Sequence, residues 1–200
     1  MIDVKVITDL QHTTVRRWHE GEIDNSYEGF LNVVCQQHEK NYRLWHQEDI
    51  ARSRDVGDAD LAQVKRNIDG LNQSRNDFIE KLDDCIIEML AEAKVVCDPN
   101  TPLNTETPGS TIDRLSILSL RLYHMEEQLS RKDVDSEHRL KVTEKLRILY
   151  QQHADLSESL TQLINDLFAG VKRLKVYRQF KMYNDPTLNP YLYAANKKVA

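Results

Sequence analysis

The chain has 200 residues, of which 40% are hydrophobic and 30% charged, and its formal net charge is -5. This length suits a single hydrophobic core, and the composition is typical of a helix-rich globular protein rather than a disordered one. A net negative charge gives no general electrostatic reason to bind nucleic acid, whose phosphates favour a clustered basic surface. We therefore expect one domain that does not bind nucleic acid.

Hydropathy and cysteine usage bear on where the protein resides. No apolar stretch approaches the roughly 20 residues that span a bilayer, and the N-terminal residues lack the basic and apolar regions of a signal peptide. Cys35, Cys85 and Cys97 are scattered and form no C-x-x-C motif. This arrangement argues against a disulfide framework and against a structural zinc site. We predict a cytoplasmic protein with reduced thiols and no membrane span.

Apolar residues recur at a spacing of about 3.6 along almost the whole chain, which predicts α-helices and no sheet. Ser26 and Asp58 stand where helix N-caps are expected, because their side chains accept hydrogen bonds from free backbone N–H groups. Short turns between consecutive helices favour antiparallel neighbours. The predicted helices cover residues 8–20, 26–53, 58–95, 110–131 and 136–175.

Two segments lack the helical spacing. Residues 96–109 contain three of the five prolines and should form an irregular connection. The other two prolines lie in residues 180–200, which should form an extended tail anchored to the bundle by Tyr191 and Tyr193. The expected architecture is an all-α antiparallel bundle of about five helices with an extended C-terminal tail.

The inward stripes of the second and third helices become polar near their middle. An unpaired charge is costly to bury and an unpaired amide costs roughly 1–3 kcal/mol, so such residues pair with one another or meet a ligand. His46 falls on the outer face in this pattern. The interrupting residues are His38, Asn41, Trp45, Glu48, Asp49 and Arg52 on the second helix, and Asp69, Asn72, Arg75 and Asn76 on the third.

The fourth helix adds polar residues at its start. A helix that begins at Ser110 presents free backbone N–H groups, which suit a phosphate or a carboxylate. A structural interpretation stays open for each feature: Arg75 and Asp69 could form an ion pair, and Ser110 could be the N-cap after a Pro-Gly turn. The charged residues that flank this start are Glu106, Asp113 and Arg114, and Arg121 and His124 follow on the same helix.

Three blocks carry a family resemblance: HEKNYRLWHQEDIARSRDV, VKRNIDGLNQSRNDFIEKLD and ETPGSTIDRLSILSLRLYHM. In this order they resemble the bacterial domain-of-unknown-function family 4254. The resemblance implies an all-helical protein without an established activity. It also implies a sugar-nucleotide or sugar-phosphate context, because members often stand among genes for glycosyltransferases and envelope polysaccharide. The blocks coincide with the polar interruptions described above.

The polar residues suggest a pocket for a phosphorylated or nucleotide-linked sugar. Arginines offer bidentate donors to a phosphate, and the Trp45 ring offers an apolar wall for a sugar or a base. His38, Asp49 and His124 are the candidate acid–base residues. The candidate ligand-binding residues are Asn41, Trp45, Arg52, Asp69, Asn72, Arg75, Asn76, Glu106, Ser110, Asp113 and Arg114.

Two other interpretations stay open. A metal-dependent enzyme could use His38, Asp49, His124 and His153, although the chain lacks the Glu-x-x-His and His-Glu-x-x-His motifs. His153 alone is better explained as a hydrogen-bonded histidine in the core. A non-enzymatic adaptor could use the polar residues only to fix the register of its helices. The sequence leaves open whether the protein forms a homodimer.

Overall fold

The protein is a helical bundle in a computed structural model that describes residues 2–196. Within that range it has no β-strand, and the one isolated bridge joins Leu103 to Arg173. The all-α prediction is confirmed. The five long helices are α1 (Val4–Glu20), α2 (Gly29–Arg52), α3 (Asp58–Glu92), α4 (Pro108–Ser130) and α5 (Ser136–Phe168).

Helix α4 is the centre of the bundle, because it packs against each of the other four long helices. The most extensive contacts join the neighbours α2 and α3, and the neighbours α4 and α5. Burying an aliphatic side chain stabilises the fold by roughly 1.5–3 kcal/mol. The fully buried aliphatic residues include Ile7, Leu82, Ile112, Leu115, Leu160 and Ile164. No helix among residues 2–196 is long and apolar enough to cross a bilayer.

The first two helices begin at different residues from those predicted. Helix α1 begins four residues early, at Val4, because the side chain of Asp3 caps it by accepting a hydrogen bond from the backbone N–H of Lys5. Ser26 is not the N-cap of α2. Gly29 has a φ of +55°, a left-handed conformation that stops the helix from extending back to Ser26.

The third and fifth helices end before their predicted limits. Helix α3 ends at Glu92 instead of residue 95, and Lys94 follows with a φ of 53°. Helix α5 ends at Phe168 instead of residue 175, because Gly170 adopts a φ of 71° just after it. A Cβ atom at Gly170 would lie 2.9 Å from the backbone oxygen of Val96, so this position requires glycine for space as well.

The C-terminal tail contacts α3 and is not wholly extended. It contains a 3₁₀ turn at Met182–Asn184 and a short helix α6 at Pro190–Asn196. The predicted anchors Tyr191 and Tyr193 are exposed. The contacts are ionic instead: Arg178 pairs with Glu80 and Asp84, and Lys181 pairs with Asp77. Residues 197–200 of the predicted tail lie outside the described residues.

Candidate functional site

A buried polar network centred on Asp113 joins α2, α3 and α4. Oδ1 of Asp113 accepts hydrogen bonds from Gln37 Nε2 at 2.6 Å and from Asn41 Nδ2 at 2.9 Å. Arg75 donates from Nε to Oδ1 at 2.8 Å and from Nη2 to Oδ2 at 2.6 Å. The Asp113 side chain is only 4% exposed. The polar interruptions of three helices therefore meet at one carboxylate.

Arg75 and Asp113 form a bidentate ion pair, which is the strongest geometry for this pair of groups. The hydrogen bond with Asp113 raises the pKa of Arg75 and outweighs the opposing effect of burial. The ion pair between Arg75 and Asp69 suggested by the sequence is wrong, because Asp69 lies at the surface and pairs with Lys65. The counter-charge of Arg75 thus comes from Asp113 on α4 and not from a residue of α3.

His38 lies in the core beside this network. Its Nδ1 is 2.7 Å from Ser116 Oγ, and its ring stacks on Trp18 with centroids 5.2 Å apart. Burial is the main cause that lowers the pKa of His38 to about 3, so the imidazole is neutral at pH 7. His38 is 0% exposed, so a substrate cannot reach its ring. The acid–base role predicted for His38 is therefore wrong.

The buried histidine predicts acid sensitivity. His38 has a folded-state pKa of about 3 against an ordinary value of 6.5, so between these pH values it binds a proton in the unfolded state but not in the folded state. Its contribution to the free energy of unfolding is therefore full above pH 6.5 and is lost as pH falls toward 3. In His38→Gln, urea unfolding should depend on pH less steeply than in the wild type, by about 1.4 kcal/mol per pH unit between pH 6 and 4.5. Parallel curves for the two proteins would contradict this assignment.

The N-terminus of α4 already binds an anion, and that anion is a side chain of the protein. The helix begins at Pro108, and its N-cap is Thr107 rather than Ser110, since Thr107 Oγ1 accepts the Ser110 N–H at 3.2 Å. The backbone N–H of Gly109 donates to Oδ1 of the buried Asp83 at 2.7 Å. A phosphate site at this helix start is therefore not open, because a carboxylate of α3 occupies it.

Asp83 was not among the predicted site residues, although its spacing offered a signal. It lies four residues after Ile79 and three before Ile86, both on the inward stripe of α3. Burial raises the pKa of Asp83, while hydrogen bonds from Thr107 and Gly109 act in the opposite direction. A buried carboxylate on the inward face of α3 needs a hydrogen-bond donor, and the Gly109 N–H of α4 is that donor.

A cleft of about 460 Å³ opens between α2, α3 and α4 beside the Asp113 network, with which it shares Asn41 and Arg75. Five predicted site residues line it, and its apolar wall comes from Trp45 and three aliphatic residues. Arg121, which is not one of the predicted site residues, also lines it. The cleft residues are Asn41, Leu44, Trp45, Glu48, Asp49, Arg52, Arg75, Ile117, Leu120 and Arg121.

Glu106 and Arg114 belong to a different cavity. They form a surface ion pair of 2.6 Å, each about half exposed, at the edge of an open cavity of about 790 Å³ between α4 and α5. Ile117 and Arg121 line both this cavity and the cleft. Arg121 is therefore the charged residue that lines both the cleft and this cavity.

Residues 31–176 match the family described as protein of unknown function (DUF4254). The chain belongs to the DUF4254 family. No curated protein and no solved structure gave a match. The matched DUF4254 region contains the cleft and the Asp113 network, whereas α1 precedes it.

The remaining predicted residues of the DUF4254 region lie outside the cleft. Asn72 and Asn76 are half-buried on α3, and Ser110 is half-buried at the start of α4. His124 stacks on Trp45 with ring centroids 4.7 Å apart, and its Nδ1 is 2.8 Å from Glu127 Oε2. His124 thus contacts Trp45, which lines the cleft, but does not line the cleft itself.

The metal ligands suggested by the sequence do not converge. Of His38, Asp49, His124 and His153, only His124 belongs to a possible metal-binding group among the described residues, and its companions are His19 and His46. His46 is not on an outer face but half-buried. Burial lowers the pKa of His46, and the nearby His19 and His124 lower it further.

Proposed function

We propose that this chain binds a small phosphorylated or nucleotide-linked sugar in the cleft between α2, α3 and α4. Its volume of about 460 Å³ falls within the range of roughly 300–1,000 Å³ of small-molecule sites. Three arginines line it against two carboxylates, which favours an anion that also carries hydroxyl groups. The context that the family resemblance implies, envelope-polysaccharide synthesis, favours a nucleotide-linked sugar within this class.

The observation that supports this proposal most strongly is the state of Arg121. Arg75 is engaged by Asp113, and Arg52 pairs with Glu48 at 3.1 Å. The exposed Arg121 side chain forms no ion pair or hydrogen bond with any described residue, although it lines both the cleft and the neighbouring cavity. A guanidinium without an intramolecular acceptor at a concave surface is suited to a phosphate.

The other cleft residues suit the rest of such a ligand. The Trp45 ring offers an amphipathic wall against which the face of a sugar or a base can pack. Glu48 and Asp49 offer carboxylate acceptors for hydroxyl groups. Of the three predicted acid–base residues only Asp49 lines the cleft, so any acid–base chemistry there would be performed by Asp49.

Thermal unfolding with a matched ligand panel tests the proposal. A nucleotide-linked sugar or a sugar phosphate should raise the melting temperature of the wild type, while the free sugar should not. Ligand at 100 times its dissociation constant adds about 2.7 kcal/mol to the free energy of unfolding. Arg121→Ala should remove most of this shift, because it removes the phosphate donor without breaking an ion pair.

The control is Arg147→Ala, which removes an exposed arginine of α5 that pairs with Glu144 and lines neither cavity. It should leave the ligand shift unchanged. The proposal fails if no phosphorylated sugar shifts the wild type, or if Arg121→Ala and Arg147→Ala respond alike.

A further inference from the structure

Three histidines from three different helices meet beside the cleft. His19 comes from the last turn of α1, His46 from α2 and His124 from α4, and one ring nitrogen of each lies within 4.8 Å of the others. Each of them directly follows an aromatic residue in the sequence: Trp18, Trp45 and Tyr123. The other four histidines, His12, His38, His138 and His153, do not.

One ring nitrogen of each of these three histidines has no hydrogen-bond partner. Nε2 of His19, of His46 and of His124 are all buried without a donor or acceptor among the described residues. A buried polar atom without a partner costs free energy, and three such atoms on neighbouring rings are unusual in a folded protein. A shared ligand at this point would satisfy all three.

The outer nitrogens of two of these rings are held as metal-binding imidazoles are held. Nδ1 of His19 lies 2.6 Å from the backbone oxygen of Val15, and Nδ1 of His124 lies 2.8 Å from Oε2 of Glu127. A carbonyl or carboxylate at Nδ1 fixes the proton there and leaves the Nε2 lone pair for a metal ion. His19 thus has the carbonyl partner and His124 the carboxylate partner that orient metal-binding histidines.

Aromatic packing fixes the positions of the rings. His19 stacks on Tyr123 with centroids 4.1 Å apart, and His124 stacks on Trp45 at 4.7 Å. His46 lies edge-on to Tyr42 at 4.5 Å, and both line an open cavity of about 610 Å³ between α2 and α3. The histidines are therefore ordered by packing, and one of them, His46, lines a cavity that is open to solvent.

We propose that His19, His46 and His124 bind a divalent transition metal ion of the zinc class through their Nε2 atoms. Imidazole nitrogens suit Zn²⁺, Co²⁺, Ni²⁺ and Cu²⁺ rather than Mg²⁺ or Ca²⁺. With Zn–N bonds of about 2.0–2.1 Å, ligand nitrogens lie roughly 3.3 Å apart, so modest ring rotations close the group. Three protein ligands leave a fourth position for water or an exogenous ligand.

This site is independent of the sugar-phosphate proposal, since none of the three histidines lines the cleft. Its test uses the full chain without an affinity tag, dialysed against a chelator and titrated with Zn²⁺ in competition with a chromophoric chelator. The wild type should bind one Zn²⁺ per chain. Bound Co²⁺ should show visible absorption typical of a low-coordinate nitrogen site.

Single variants at the three histidines decide the assignment. His19→Gln, His46→Gln and His124→Gln should each weaken Zn²⁺ binding by more than about tenfold and abolish the Co²⁺ spectrum. His12→Gln, at an exposed histidine of α1 outside the group, should bind Zn²⁺ as the wild type does. Absence of Zn²⁺ binding by the folded wild type would overturn the proposal, as would wild-type affinity in the three variants.

Discussion

Replacing Asp113 with leucine should lower the free energy of unfolding by about 3–5 kcal/mol, because it leaves the Arg75 guanidinium partly buried without its counter-charge. The same change removes the acceptor for the side-chain amides of Gln37 and Asn41. Urea unfolding at pH 7 measures the loss. The double variant Arg75→Leu/Asp113→Leu should recover part of it, since both charges are then absent.

The matched control is Glu106→Leu. Glu106 and Arg114 form an ion pair with the same 2.6 Å separation, but both side chains are about half exposed. Breaking an exposed pair should cost less than about 1 kcal/mol. Equal losses in Asp113→Leu and Glu106→Leu would show that the Asp113 network does not stabilise the junction of α2, α3 and α4.

Substitution of Gly109 by alanine should destabilise the protein by about 2–4 kcal/mol, from overpacking and from a weakened hydrogen bond between the Gly109 N–H and the buried Asp83. A Cβ atom at Gly109 would lie 2.5 Å from the backbone oxygen of Ile79 and 2.8 Å from Oδ1 of Asp83. Helices α3 and α4 would have to separate, which would also lengthen the hydrogen bond from the Gly109 N–H to Asp83.

A second glycine provides the comparison for this measurement. Gly70 lies within α3, and a Cβ atom there would have no neighbour within 4 Å. Gly70→Ala should therefore stabilise the protein by roughly 0.5–1 kcal/mol, because alanine is the better helix former. A Gly109→Ala protein as stable as Gly70→Ala would contradict the close contact between α3 and α4.

The periodicity of the sequence predicted the helices and the polar interruptions, because both depend on residues only a few positions apart. It could not predict the partner of Arg75. That choice depends on which face α4 turns toward α3, and Arg75 and Asp113 are 38 residues apart. The local candidate Asp69 is instead rotated to the surface, where it meets Lys65.

The same limit applies to the candidate sites. Asn41, Trp45, Asp49, Arg52 and Arg75 were predicted to share a pocket and do line one cleft, while their roles stay predictions. The histidine group was missed, because its members come from three helices and no local spacing joins them. The predicted helix ends were wrong where a residue with left-handed backbone conformation, such as Gly29 or Gly170, limits the helix.

A crystal structure of the protein soaked with a nucleotide-linked sugar tests the central proposal most directly. The proposal predicts the phosphate within hydrogen-bonding distance of the Arg121 guanidinium and a ring of the ligand against the Trp45 indole, between α2 and α4. A ligand bound elsewhere, with Trp45 and Arg121 both uncontacted at saturating concentration, would contradict it.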